Sequence, residues 1–419
     1  MTGKKVILLL FLLALLPSVI YSYSFFRGPA LHDDGLEYHG LAVNLLEGKG
    51  FQWQGLKASR PPGYPFFLAA VYSVSGRSLK TVIFIQCILV ALSCILIYLT
   101  AERILGRTTA VIAYFIAVFS FGMFSMPAEI VSEPLFTFLF CLSSFYLCGE
   151  KKNLSIFVSG IMAGLATLVR PVTTLLPVFI LIFLIFRFGV LSGKAYIKFL
   201  IFSAAFAGVL FPWTLRNYGI YHKFIPVNIQ SGATFWASNN PWIKGGDAVD
   251  LYCFPQKALE PYKSLSVPEK DRAYMREGIK YLKSLSPAGL TKLFLMKIFR
   301  LFYVFYPQYD ISFGFIIPFF LYGLWLSLFR IKGETLAPVF LMAYLLFITL
   351  ITYGSPRLRS PFLPYIAVIS AAGLNGFYSG IYNNKRSKIL LGIWVSINIA
   401  VVVYAGQLRQ FILKIRDIL

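Results

Sequence analysis

Long apolar runs separated by short polar stretches fill most of this chain, and they predict transmembrane helices. Many runs reach about 17–22 residues, enough for an α-helix to cross a hydrocarbon core of about 30 Å. We expect about eleven spans (eleven to thirteen), near residues 5–23, 80–101, 108–125, 129–148, 154–170, 172–190, 196–213, 311–329, 335–353, 360–381 and 389–407. The pattern predicts an all-α polytopic membrane protein that forms a single domain over residues 1–419.

The composition agrees with this pattern and excludes two classes of protein. Hydrophobic residues make up 58% of the chain and charged residues 13%, whereas soluble domains contain about 25% charged residues. The net charge of +22 comes from Lys and Arg in short loops, as the positive-inside rule predicts, so a nucleic-acid partner is not indicated. The five cysteines show no spacing typical of a disulfide framework or a thiolate metal site.

The positions of the basic loops predict the orientation in the membrane. The run 290–307 carries Lys292, Lys297 and Arg300. If this run does not cross, the basic clusters at 103–107, 151–152, 187–198, 330–332 and 385–388 all face the cytoplasm, as the rule requires. We therefore expect 290–307 to be an interfacial amphipathic helix, with the N-terminus cytoplasmic and the chain in the plasma (inner) membrane.

Two long segments then face outward and are expected to carry the function. These are the first outer loop, 24–79, with juxtamembrane helices, and the long outer loop, 214–306, which includes the interfacial helix. Irregular backbone at this depth requires protein or water to satisfy its polar groups. The chain contains no G-x-x-x-x-G-K-[ST] motif that would indicate nucleotide binding.

Acidic residues cluster at the start of the first outer loop, in the stretch LHDDGLEYHG. Asp33, Asp34 and Glu37 lie within five positions, in a chain with 17 acidic residues. The spacing Asp34-x-x-Glu37 is typical of a capping box at a helix N-terminus. An ionised aspartate held there could also accept a proton from an incoming hydroxyl. The residues alone leave both interpretations open.

Arginines and one glutamate on the outer face are further candidates. Arg60 precedes two prolines, which would present its guanidinium rigidly to a phosphate, although a loop arginine can also reach lipid headgroups. Glu133 lies just inside a span, where an acid is costly, although a helix N-terminus favours a negative charge. Arg357 and Arg359 break the positive-inside pattern, which indicates an anionic ligand.

A metal or cofactor is not clearly indicated. The chain has three histidines, which excludes a His-cluster metal site. A divalent cation held by Asp33, Asp34 or Glu133 stays open. The other candidate features are Arg216 at the outer end of a span, and Asn239 and Asn240 before Pro241, where turn formation is an alternative role.

The order of these segments resembles the polyprenyl-phosphate-sugar-dependent glycosyltransferases of the GT-C membrane fold. The nearest members are the protein O-mannosyltransferases and the aminoarabinose transferases of lipid A. In that family an acidic motif in the first outer loop precedes a Tyr, as Asp34 precedes Tyr38. A basic residue before two prolines contacts the donor phosphate, as Arg60 would here. An acid opens a later span before Pro-Leu, as Glu133 does. Many relatives have Asp-Glu where this chain has Asp-Asp, so Asp33 competes with Asp34 as the base.

The resemblance implies an inverting glycosyltransferase that acts on the extracytoplasmic face. It would transfer a hexose or pentose from a polyprenyl-phosphate-linked donor to a lipid, glycan or protein acceptor, in contact with membrane lipids. The expected residues are Asp34, Asp33 and Glu133 for catalysis, Arg60, Arg359, Arg357 and Lys57 for the donor phosphate, and Tyr38, Tyr64, Arg216, Asn239 and Asn240 for substrate. A transporter or flippase of lipid-linked glycan, or a non-catalytic membrane assembly protein, would be the alternative; a transporter would require broken midplane helices and related halves.

Overall fold

The chain is built from α-helices connected by short loops. The computed structural model describes residues 3–25, 33–149, 152–242, 254–305, 310–329, 336–381, 385–408 and 410. Its helices are α1 Gly3–Phe25, α2 Asp33–Leu46, α3 Gly63–Ser75, α4 Leu79–Leu105, α5 Arg107–Val118, α6 Phe121–Phe124, α7 Glu133–Gly149, α8 Asn153–Val169, α9 Leu176–Phe188, α10 Gly193–Tyr221, α11 Ser231–Ser238, α12 Gln256–Leu259, α13 Val267–Ser284, α14 Pro287–Leu301, α15 Ile311–Phe329, α16 Ala337–Ile351, α17 Pro356–Arg359, α18 Leu363–Ile381 and α19 Lys385–Val403. Within the described ranges there is no β-strand, and the all-α prediction is confirmed.

Each of the eleven predicted hydrophobic runs coincides with an apolar helix in the part of the chain that the structure describes. Five helical stretches are long and apolar enough to cross a membrane, and the bent pair Arg107–Val118 and Phe121–Ala128, at 61°, would make a sixth. Five further apolar helices are 10–17 residues long. The chain is therefore a multi-pass membrane protein, and the number of eleven spans stays a prediction.

Glycines allow the closest helix crossings. A Cβ on Gly323 of α15 would lie 1.9 Å from the Ile369 carbonyl oxygen, and one on Gly373 of α18 would lie 1.9 Å from that of Phe319. In the same way, a Cβ on Gly160 of α8 would lie 2.4 Å from the Phe202 carbonyl oxygen of α10. Small residues at such crossings let the helix backbones approach and gain dispersion contacts where lipid offers no hydrophobic driving force.

Helix α14 has the two faces expected of a helix that lies at a surface. It contains 15 residues, which at 1.5 Å per residue gives about 22 Å, less than the hydrocarbon thickness of about 30 Å. Leu295 and Phe299, one turn apart, expose 62% and 54% of their surface, whereas Leu293, Lys297 and Leu301 are buried. This pattern agrees with the interfacial helix predicted for 290–307, which stays a prediction.

The long outer loop folds around a contact between α11 and α13. The Asp271 carboxylate accepts hydrogen bonds from the Gly232 and Ala233 amides at 2.9 and 3.0 Å, which satisfies free N–H groups at the start of α11. The Trp236 ring stacks on Tyr274 with 5.1 Å between centroids. Trp236 also contacts Trp242, Phe254 and Tyr262. The described parts of this loop thus pack against one another and present the end of α11 to the membrane helices.

Candidate active site

Charged side chains from five separate segments meet at one end of the helix bundle. They come from the first turn of α2 (Asp34), the loop before α3 (Arg60), the start of α7 (Glu133), the end of α8 (Arg170) and α17 (Arg357). We call these five residues together with Glu37 the outer ion cluster. Because α7 begins and α8 ends at this side, the cluster lies at the expected outer face.

Local backbone features bring these segments together. Gly63 lies against α8 so closely that a Cβ would sit 2.7 Å from a Val169 methyl and 2.9 Å from its backbone nitrogen. That approach places Arg60, before Pro61, near Arg170. Ser355 is extended, and its hydroxyl accepts a hydrogen bond from the Arg357 amide at 3.2 Å, which starts α17.

Arg357 joins the two central carboxylates. Its Nη2 donates to Asp34 Oδ2 at 2.5 Å, and its Nε donates to Glu133 Oε1 at 2.7 Å. Arg60 binds the other Asp34 oxygen through Nη2 at 2.8 Å and binds Glu37 through Nε at 2.7 Å. Three carboxylates and three guanidiniums of the outer ion cluster therefore carry formal charges that sum to zero.

Glu133 is the buried end of the outer ion cluster. Its side chain is 4% exposed, and Arg170 Nη1 lies 2.6 Å from its Oε1. Arg170 also donates to the Ser132 hydroxyl at 3.1 Å. Arg357, at 44% side-chain exposure, is the most open arginine of the cluster, compared with 21% for Arg60 and 14% for Arg170.

The cluster holds Asp34 as a carboxylate. Burial alone would raise the pKa of Asp34, but the Arg60 and Arg357 guanidiniums outweigh burial and lower it. Asp34 lies within the first turn of α2, and both acids of the expected capping box, Asp34 and Glu37, pair with Arg60. The ion pairs therefore account for these two acids better than the capping interpretation does.

An apolar cavity of about 600 Å³ is built by the same segments that carry the cluster. Its walls come from α3, α7, α8 and α10, and they include Phe66, Leu139, Leu165 and Trp213. Wall residues also lie within two positions of Arg60, Glu133 and Arg170 along the chain. We call this cavity the apolar groove. A long hydrocarbon chain is a chemically suitable occupant of such a surface.

A divalent cation does not fit this arrangement. In the described ranges no group of three or more His, Cys, Asp or Glu side chains could hold a metal ion. Asp34 and Glu133 face guanidiniums, whose charge would repel a cation. The Asp33 side chain lies outside the described residues.

Comparison of the sequence and the structure with known proteins identifies the fold. Residues 59–213 match the family described as dolichyl-phosphate-mannose-protein mannosyltransferase. The structure resembles the archaeal oligosaccharyltransferase AglB from Archaeoglobus fulgidus in complex with an inhibitory peptide and a dolichol-phosphate, with a TM-score of 0.58 and 14% identity over 97% of this chain and 55% of that chain. The apo form of the Archaeoglobus fulgidus oligosaccharyltransferase aligns with a TM-score of 0.59 and 15% identity, again over 97% of this chain and 55% of that chain. The fold is that of the GT-C glycosyltransferases.

The chain spans about 55% of the length of the oligosaccharyltransferase chains that it resembles. ArnT from Cupriavidus metallidurans, bound to undecaprenyl phosphate, aligns over 90% of this chain and 79% of its own, with 12% identity and a TM-score of 0.44. None of the curated proteins compared with the sequence matches it.

The structure brings together four of the predicted site residues, and two of the predicted tyrosines pack beside them. Asp34, Arg60, Glu133 and Arg357 belong to the outer ion cluster. The Arg60 guanidinium lies 5.5 Å from the centre of the Tyr38 ring, which packs edge-on against Tyr64 at 5.0 Å. The Tyr64 hydroxyl donates to Gln86 at 2.6 Å, and both tyrosines are buried. Tyr38 therefore packs against Arg60, and Tyr64 packs against Tyr38, which differs from the substrate contact expected of both residues.

Arg359 does not join the outer ion cluster. Its side chain is 4% exposed and stacks over the Phe313 ring at 3.6 Å, with Asp310 at 3.8 Å. Its Nη1 donates to the Leu301 and Tyr303 carbonyls at 3.0 and 3.2 Å. The expected phosphate contact is replaced by a cap on the C-terminal end of α14.

Asn239 and Asn240 are also fully buried and do not reach the cluster. Asn239 accepts a hydrogen bond from Lys297 Nζ at 2.7 Å and donates to the Ile351 carbonyl at 3.0 Å. Lys297 also donates to the Leu350 carbonyl at 2.8 Å. Asn240 donates to carbonyls within α11. These side chains tie α11 and α14 to the end of α16, and the segment after α16 carries Arg357.

The remaining two predictions lie beside the apolar groove. Lys57 is exposed, and its carbonyl accepts a hydrogen bond from Arg216 Nη1 at 2.9 Å. The Arg216 guanidinium lies over Trp213 at 4.3 Å and lines the groove. The residues that the sequence reasoning did not assign to the site are Arg170 and Glu37. The signal for Arg170 was its position before Pro171 at an outer span end, which repeats the Arg-Pro pattern of Arg60.

Proposed function

We propose that this protein transfers a sugar from a polyprenyl-phosphate-linked donor to an acceptor on the extracytoplasmic face of the membrane. The observation that carries the proposal is the position of Asp34, a carboxylate held between Arg60 and Arg357 and built on the segments that form the apolar groove. The groove accepts the polyprenyl chain, and the arginines receive the phosphate that joins it to the sugar.

In the proposed reaction Asp34 takes the proton of the acceptor hydroxyl or amine. The acceptor atom bonds to the anomeric carbon of the sugar as the bond from that carbon to the phosphate oxygen breaks on the opposite face, which inverts the configuration. The electron pair of the broken bond leaves with polyprenyl phosphate, whose added negative charge Arg60 and Arg357 stabilise. The proton on Asp34 then passes to water.

The orientation in the membrane is part of the proposal. We propose a cytoplasmic N-terminus in the plasma membrane, because Arg103 and Arg107 lie at the turn between α4 and α5, at the other end of the bundle from the outer ion cluster. Labelling of single cysteines with an impermeant maleimide in intact cells tests this. A cysteine at exposed Lys57 should be labelled and one at Arg107 should not, and the reverse pattern would overturn the orientation.

The function is tested by incubating purified protein with undecaprenyl-phosphate sugars carrying a radiolabelled sugar and with cell-envelope fractions as acceptors. We expect label transfer and equimolar release of undecaprenyl phosphate, reduced about 10²–10⁴-fold in Asp34→Asn because a positioned general base contributes that much. Glu47→Gln is the matched control, because Glu47 pairs with Lys49 and Arg77 outside the site. Unchanged activity in Asp34→Asn would refute the base. Movement of intact donor across the bilayer without release would indicate a transporter.

A further inference from the structure

Both oxygens of the Asp34 carboxylate, which takes the proton in the proposed reaction, are paired with guanidiniums in the structure. Arg60 Nη2 holds one of its oxygens at 2.8 Å, and Arg357 Nη2 holds the other at 2.5 Å. A carboxylate fixed by two guanidiniums is a weak base, and each guanidinium covers a direction from which an acceptor could approach.

The two arginines differ in how easily a ligand from outside can engage them. Arg60 is 21% exposed, and its Nε is fixed to Glu37 at 2.7 Å. Arg357 is 44% exposed, and its second anchor is Glu133, which Arg170 also neutralises at 2.6 Å. An anion arriving at the outer face would therefore meet Arg357 first, and Glu133 would keep the guanidinium in place at the other end.

Charge balance makes the phosphate and Asp34 competitors. The carboxylates of Asp34, Glu37 and Glu133 already match the guanidiniums of Arg60, Arg170 and Arg357 in number. A donor phosphate adds a negative charge for which the cluster holds no unmatched cation. A phosphate bound to the Arg357 guanidinium lies close to the Asp34 carboxylate, and the repulsion between the two anions favours release of Asp34 from Arg357.

We propose that Arg357 sets the order of substrate binding: it pairs with Asp34 until the donor phosphate takes over the guanidinium, and only then is Asp34 free to accept the acceptor proton. This inference rests on the proposed function. Arg357 is then both the phosphate contact and the residue that keeps Asp34 unreactive toward water or acceptor before the donor arrives. No bond is made or broken in this step, which exchanges one ion pair for another.

Binding of undecaprenyl phosphate to the full-length protein in detergent tests the competition. Asp34→Asn keeps the shape but removes the competing charge, so we expect roughly twofold to fivefold tighter binding, the size of one partly exposed ion pair. The gain should vanish when Arg357→Gln is present in both proteins compared, because the two residues act through one contact. Glu47→Gln removes an equal charge outside the cluster and should leave the affinity unchanged. Undecaprenol, which lacks the phosphate, should bind wild type and Asp34→Asn equally.

Each other outcome has a separate meaning. If Asp34→Asn binds undecaprenyl phosphate no more tightly than wild type, the competition is refuted while the proposed function stands. If the gain persists in the Arg357→Gln background, Arg357 is not the shared contact and the inference is overturned. If wild type does not prefer undecaprenyl phosphate to undecaprenol, the proposed donor class itself is wrong.

Discussion

Replacing Glu133 with Gln is predicted to destabilise the protein more than any exposed charge change. The substitution keeps the size of the side chain and removes its charge. Glu133 is 4% exposed and lies 2.6 Å from Arg170 Nη1 and 2.7 Å from Arg357 Nε. Its loss leaves Arg170, which is 14% exposed, with the Ser132 hydroxyl in place of a carboxylate.

The size of the effect follows from which arginine loses its partner. Two unit charges about 4 Å apart attract by ~4 kcal/mol at an effective dielectric constant of ~20. Breaking a buried pair by removing one partner costs about 3–5 kcal/mol, because the other charge stays buried. Arg357 is 44% exposed and keeps Asp34, so water screens its share. We therefore expect a loss near the lower limit, about 3 kcal/mol in the free energy of unfolding.

Reversible unfolding in mixed micelles of increasing SDS content, followed by tryptophan fluorescence, measures this loss. Glu47→Gln is the control and should leave the unfolding midpoint unchanged. The double variant Glu133→Gln/Arg170→Gln should lose less than the sum of the single variants, because it removes the stranded charge. Full additivity, or a Glu133→Gln midpoint equal to that of wild type, would show that Glu133 and Arg170 are not coupled as the distances indicate.

Three further predictions concern the segments that support the cluster. Burial lowers the pKa of Lys297 from 10.5 to about 7, so between pH 7 and pH 10.5 the unfolded chain binds more protons than the folded chain and stability rises with pH. The Tm of wild type minus the Tm of Lys297→Met should therefore rise from pH 7 to pH 9, and a difference that does not change with pH would contradict the lowered pKa. Leu165→Trp should fill the apolar groove and raise the KM for a polyprenyl donor with little change in kcat. Leu200→Trp, at an exposed site outside the groove, is the control and should leave the KM unchanged; equal KM values for the two variants would exclude the groove as the binding site of the donor chain. A Cβ on Gly354, in the segment that carries Arg357, would lie 1.8 Å from the Lys297 carbonyl oxygen. Gly354→Ala should therefore lower the Tm and the transfer rate together. A Tm and a transfer rate equal to those of wild type would show that this contact does not position Arg357.

The helices and two of the three acids of the outer ion cluster could be predicted from the sequence. Hydrophobic runs predict spans because each residue's preference for lipid is local. In the described ranges each of the eleven runs coincides with an apolar helix or, at 108–125, with a bent pair of helices. Asp34 and Glu133 were recognised because an acid near a membrane is rare and costly. Charge counting predicts that both lie at the outer face, and the structure brings them to one arginine.

The partners of these acids could not be predicted, because they depend on contacts between distant parts of the chain. Arg357 and Asp34 are 323 positions apart. Arg357 and Arg359 are two positions apart in one helical turn, so their side chains point to different sides, and the sequence does not say which side faces the carboxylates. Asn239 looked like a turn residue or a sugar ligand, but it is a buried partner of Lys297. The residues around a polar side chain that caps another helix show no local sequence pattern from which the cap could be predicted.

The most direct test of the candidate active site is an experimental structure of the protein with undecaprenyl phosphate bound. We predict that the phosphate lies within hydrogen-bonding distance of the Arg357 and Arg60 guanidiniums, that the Arg357–Asp34 pair is broken, and that the hydrocarbon chain occupies the apolar groove. A phosphate bound away from both arginines, with the Arg357–Asp34 pair intact, would contradict the assignment of the outer ion cluster as the active site.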